Sequence, residues 1–160
     1  MDKRIVINTG PLIALMRIQA LEIVEQLDLE FLAPEQVRHE LEQGTQAGHP
    51  LVRTDWLSFH RLEAPLTPMV LSVLDIGEAA VIQLAMERSI LRVAIDELKG
   101  RRMALAVGLK VNGVLGLLGK AKQQGIITEV KPYLDRAVQA GIRYHPDLIH
   151  RFLTGIGELP

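Results

Sequence analysis

The chain has no cysteine. That excludes a disulfide framework and a thiolate zinc site, and it fits a reducing cytoplasm. Aromatic residues make up only 4% of it, and Trp56, Phe59, Tyr133, Tyr144 and Phe152 are scattered. A sheet-borne platform for stacking bases is therefore not expected. No sign of charge dominates: the formal net charge is -1, so no whole-molecule field gathers polyanions, and contact with nucleic acid has to be local. No apolar run approaches the roughly 20 residues of a membrane span. The charges of Asp2, Lys3 and Arg4 are followed by only three apolar residues, which is no secretory signal. The five histidines lack the spacing of metal ligands. The first strand is not followed by G-x-G-x-x-G, which argues against a nucleotide-binding regulatory domain.

What is present is enough apolar material for one substantial core. With 160 residues and 48% hydrophobic composition, a single domain over residues 1–160 is expected. Ile5, Val6 and Ile7 form an unbroken β-branched run, the pattern of a central parallel strand. Asn8 and Thr9 end it, Gly10 frees the backbone, and Pro11 suits the first turn of the next helix. Phe31–Ala33 and Leu91–Ile95 read as further strands, with weaker ones near residues 57–62 and 110–112. Leu71–Arg88 reads as one helix, apolar nearly all round after the D-x-x-E spacing of Asp75 and Glu78. Alternating strands and helices predict an α/β fold with a doubly wound parallel sheet.

In such a sheet the ligand crevice opens at the carboxyl ends of the strands that flank the switch point. Asn8 and Asp96 end two strands, and two helices bring Glu40 and Glu78. Oxygen ligands converging without cysteine or paired histidine suit a hard cation such as Mg²⁺ or Mn²⁺. Each residue also has a plain structural explanation. Glu78 completes a capping box with Asp75, Glu40 is a half-exposed helix residue, Asp96 and Glu97 cap a basic helix, and Asn8 is a turn residue. From Lys99 to Lys131 there are seven basic residues against one acid. They read either as phosphate contacts beside Asp96 or as a solvated helix face.

Five blocks, NTGPLIAL at 8–15, PEQVRHEL at 34–41, LDIGEAAVIQLAM at 74–86, AIDELKGRRMA at 94–104 and GLKVNGVLGLLGKAKQQGII at 108–127, resemble the PIN-domain family, and within it a bacterial and archaeal branch that carries asparagine at the first acidic position. The resemblance implies a three-layer α/β/α sandwich around a parallel sheet of about five strands. It implies a ribonuclease that cuts single-stranded RNA with Mg²⁺ or Mn²⁺, often the toxin of a toxin-antitoxin pair, held inactive by a small antitoxin protein and often dimeric. Carried over by position, the metal and catalytic residues are Asn8, Glu40, Glu78 and Asp96, with Glu97 as an extra acid. Thr9, Lys99, Arg101 and Arg102 are the residues expected to contact the substrate. Two positions depart from the family pattern: Asn8 stands where aspartate is usual, and Gly10 where a small hydroxyl residue is usual. An amide oxygen still coordinates a hard cation, but one negative charge is missing, so metal affinity falls. A catalytically impaired module that binds RNA or a protein is the rival reading.

Overall fold

The computed structural model describes residues 2–159. Five strands, β1 (Arg4–Ile7), β2 (Glu30–Pro34), β3 (Ser58–His60), β4 (Arg92–Ala94) and β5 (Lys110–Asn112), pair in parallel in the order β3-β2-β1-β4-β5. Helices α1 (Thr9–Arg17), α2 (Leu21–Glu25), α3 (Glu35–Gln46), α4 (Pro68–Leu71), α5 (Ile76–Glu87), α6 (Leu98–Ala106), α7 (Val114–Gln123), α8 (Lys131–Gln139) and α9 (Pro146–Gly155) follow between and after the strands. The chain forms two compact units. One runs up to Leu12 and from Asp28 to Gly113, and the other comprises Ile13–Leu27 and the chain from Val114 onward.

The first unit holds the whole sheet. The strands step outward from β1 through β2 to β3, and the chain then returns to place β4 on the other side of β1. That reversal between β1 and β4 is the switch point at which a doubly wound sheet opens a crevice. Ile5, Val6 and Ile7 are fully buried, as are Val93 and Ala94 beside them. Helix α5 packs on β1, β2 and β4. Its residues from Gly77 to Ile82, with Leu84 and Ala85, are all buried, so its apolar circumference is explained by packing.

The helix expected over Leu71–Arg88 starts only at Ile76, and Leu71 ends a separate short helix. Thr67 caps α4 through the Val70 N–H, and α4 ends at Leu71. Asp75 then adopts extended backbone as the N-cap of α5, its Oδ1 accepting from the Glu78 N–H at 2.9 Å. A capping residue must leave the helical region of φ and ψ, so a helix cannot run through it. The freedom expected of Gly10 goes unused, because Gly10 lies inside α1 without a left-handed backbone.

The second unit is helical among the described residues. Helix α2 packs on α7, which buries Leu117, Leu118 and Ala121. Left-handed Gly125 and Gly141 follow α7 and α8. The Glu158 carboxylate accepts from the backbone N–H groups of Val130 at 2.8 Å and Lys131 at 3.0 Å, and pairs with Lys122 Nζ at 3.2 Å. It thereby ties the segment after α9 to the start of α8.

Candidate functional site

Asn8 follows β1 directly, and its backbone N–H donates to Ala94 O at 3.0 Å, which extends the β1–β4 ladder by one step. The side chain is buried, as is that of Thr9, the first residue of α1. Glu40 reaches the same place from the middle of α3 and is half-buried. Glu78, on the first turn of α5, is only 4% exposed. All of these residues belong to the first unit.

Two glycines mark how tightly the acids are seated. A Cβ on Gly77 would overlap Glu40 Oε1 and stand 3.0 Å from Asn8 Oδ1. One on Gly100 would overlap Glu78 Oε2. Glycine costs about 1 kcal/mol in a helix interior relative to alanine. Here it lets α5 and α6 approach the carboxylates. Both glycines went unnoticed in the sequence, although a glycine in the first turn of a helix is the signal that could have shown them.

Among the described residues, six buried side-chain polar atoms have no hydrogen-bond partner: Asn8 Oδ1, Thr9 Oγ1, Gln36 Oε1, Glu40 Oε1, Glu78 Oε2 and Asn112 Nδ2. All six lie in the first unit. Leaving a buried polar group unpaired costs about 1–3 kcal/mol, and two of these atoms, Asn8 Oδ1 and Glu40 Oε1, lie together over Gly77. The electrostatics agree. Burial pushes Glu78 up to about 7, and the neighbouring Asp75 carboxyl and the charge of Glu97 add to it, against the pull of the Gly100 amide. Burial also raises Glu40, helped by the charge of Asp75 and opposed by Thr9 and His39. The Thr9 hydroxyl lies close to this carboxyl without the geometry of a hydrogen bond. Asp75, read from the sequence only as a cap, is thus the acid that acts on both buried glutamates.

A family model of the PIN domain matches residues 4–158. The chain belongs to the PIN-domain family. No curated protein matches it. PIN membership supports a nuclease-type fold and a general use of divalent metals.

Not every acid carried over from the PIN pattern meets the others. Asp96 does not repeat the position of Asn8. The register pairs Ile7 with Ala94, so Asn8 is level with Ile95 and Asp96 stands one residue further out, exposed. Glu97 is the N-cap residue of α6 but makes no side-chain cap, so the capping explanation does not account for it. Among the described residues no three histidine, aspartate or glutamate side chains are grouped to hold one metal ion. Asn8 Oδ1 and Glu40 Oε1 are the donors that share one spot, over Gly77. In kind, the buried and unpartnered oxygens of Asn8, Glu40 and Glu78 fit a hard cation.

Of the basic residues, Lys99 and Arg102 are exposed on α6. Arg101 is half-buried, and its Nη1 donates to Ile95 O at 2.9 Å. Beside the site, a groove of about 900 Å³ has Gln36, His39 and Glu40 on one wall and Leu74, Asp75 and Ile76 on the other.

Proposed function

We propose that this PIN-domain protein is an endoribonuclease that cuts single-stranded RNA with Mg²⁺ or Mn²⁺ and acts as a single domain. The observation that carries this reading is the set of three buried oxygens without partners, Asn8 Oδ1, Glu40 Oε1 and Glu78 Oε2, at the carboxyl end of the sheet. A cation seated among them would neutralise charge developing on a phosphodiester and lower the pKa of its bound water. Asn8 is a neutral donor that orients, and Glu40 and Glu78 carry the charge. Burial raises both glutamates in the metal-free chain, and a cation between them would favour their charged forms. Asp96 and Glu97 stand at the rim as outer acids. Lys99 and Arg102, exposed beside them on α6, contact substrate phosphates, and the buried Thr9 hydroxyl stays behind the donors, close to Glu40. The same reading includes a toxin role, a small antitoxin protein as partner, a homo-oligomer and a cytoplasmic location. Among the described residues no helix is long and apolar enough to cross a membrane.

The rival, a module that binds RNA or a protein without cutting, is favoured by one observation: among the described residues no three acids are grouped so as to hold one ion. Cleavage of single-stranded RNA with Mn²⁺ separates the two readings, measured alongside Glu40→Gln and Asp96→Asn. Metal-dependent cutting that falls at least a hundredfold in Glu40→Gln supports the nuclease. Equal cutting in wild type and both variants means a contaminant, and no Mn²⁺ binding at millimolar concentration in calorimetry means the module.

A further inference from the structure

Arg101 stands out among the basic residues of α6 because its charge is turned inward. Lys99 and Arg102 are exposed, whereas Arg101 Nη1 donates to the Ile95 carbonyl at 2.9 Å in a partly buried position. The same nitrogen would lie 3.0 Å from a Cβ on Gly113, and Asp96 Oδ1 would lie 3.4 Å from that Cβ. The guanidinium therefore occupies the gap between the end of β4 and the residue after β5, and the Asp96 carboxylate approaches the same glycine. The two strand ends are also linked through the backbone, where the Ile95 N–H donates to Asn112 O at 3.1 Å. Gly113 leaves the space that the guanidinium fills. The carbonyl it holds belongs to the peptide that joins Ile95 to Asp96, so this bond fixes the direction in which Asp96 leaves β4.

We infer that Arg101 is a positioning residue: it fixes the direction of Asp96 at the rim of the site and does not hold the RNA backbone. The inference rests on the nuclease reading for its consequence, since Asp96 matters to the reaction only if a cation and RNA come to this rim. The clamp itself is a property of the metal-free chain. Lysine keeps the charge of arginine but has no planar fork. A phosphate contact survives Arg101→Lys, and a clamp does not.

The experiment compares Arg101→Lys, Arg101→Ala, Gly113→Ala and Arg102→Ala in four measurements. These are affinity for a single-stranded oligoribonucleotide in EDTA over a range of salt, Mn²⁺ affinity by calorimetry, kcat and KM for cleavage, and exchange of the Ile95 and Asp96 amides without metal. Arg101→Lys and Gly113→Ala are expected to weaken Mn²⁺ roughly tenfold, as loss of an outer-shell partner does. They are also expected to lower kcat more than KM changes, speed exchange at Ile95, and leave RNA affinity in EDTA within twofold. Arg102→Ala is expected to weaken RNA and flatten the salt dependence by about one unit of slope. If Arg101→Lys matches wild type in all four while Arg101→Ala loses RNA affinity in EDTA, Arg101 is a phosphate contact and the inference is overturned. If wild type neither binds Mn²⁺ nor cuts RNA, the nuclease reading fails. Faster Ile95 exchange in Arg101→Lys then still supports the clamp, and unchanged exchange overturns it.

Discussion

Glu40 Oε1 lies over Gly77 so closely that no methyl group fits between them, with Asn8 Oδ1 3.0 Å from the same Cβ position. A helix and a strand end thus meet across a residue that has no side chain. Gly77→Ala is expected to push Glu40 away and weaken Mn²⁺ binding at least tenfold. The overpacking should cost about 1–3 kcal/mol in urea melts. Gly116, exposed in α7 with nothing within 4 Å of its Cβ direction, is the control. Gly116→Ala should gain about 0.5–1 kcal/mol and leave metal binding alone. Equal effects at the two positions would contradict the seat described for Glu40.

Glu78 predicts a pH dependence of stability. Its carboxyl is raised from the usual 4.5 to about 7 in the folded chain, so the fold favours the protonated form. The stability it contributes is complete below about 4.5 and is lost as pH rises through about 7. Glu78→Gln should therefore be more stable than wild type at pH 8, by something on the order of 1–3 kcal/mol, and nearly equal to it at pH 4. Thermal midpoints across that range check the sign. A variant less stable at pH 8 would show that the carboxylate is compensated within the chain itself.

Asn8→Asp adds a charge beside Glu40, whose carboxyl burial and the Asp75 charge already raise. Without metal the variant should melt lower than wild type, because like carboxylates in a buried site oppose each other's ionisation. With Mn²⁺ it should bind more tightly and be stabilised more strongly, in line with mass action. Melting with and without Mn²⁺ tests both halves. An identical metal response in the two proteins would remove Asn8 from the set of donors.

Glu158 works in the opposite direction from Glu78. Burial alone would raise its carboxyl, but the amides of Val130 and Lys131 and the Lys122 ammonium outweigh it and hold the group below the usual range. Its stabilisation is present above the usual carboxylate value and is lost as pH falls through its lowered folded value. Glu158→Ala should cost about 1.5–3 kcal/mol at pH 7, the range for hydrogen bonds to a charged group, and less at pH 3. Denaturant titration at the two pH values measures the difference. A cost that does not change with pH would mean packing, not charge, holds the segment.

Much of the fold was legible in the residues because local chemistry decides it. An unbroken β-branched run at Ile5–Ile7 has one good place, the middle of a parallel sheet. Gly108 and Gly125 follow helices in a left-handed conformation, as expected of helix ends. The PIN resemblance, drawn from five blocks along the chain, holds over residues 4–158. Less legible was the break before α5. Leu71–Arg88 has a helical rhythm throughout, yet residues 72–75 are non-helical and Asp75 caps a helix that starts only at Ile76.

The candidate site shows where reading along the chain stops. Asn8 and Glu78 could be picked out as residue types at a strand end and a helix start, and Glu40 as an acid on the apolar face of a helix. Hydrophobic periodicity and turn chemistry along the chain are enough for a doubly wound parallel sheet and for a crevice at the ends of its strands. The tertiary structure alone decided that Asn8 and Glu40 meet over Gly77, that Asp96 stands one residue beyond Asn8, and that Arg101 turns inward toward Ile95. Those outcomes depend on strand register and on where two helices find room to approach, and both are set by contacts between residues far apart in the chain.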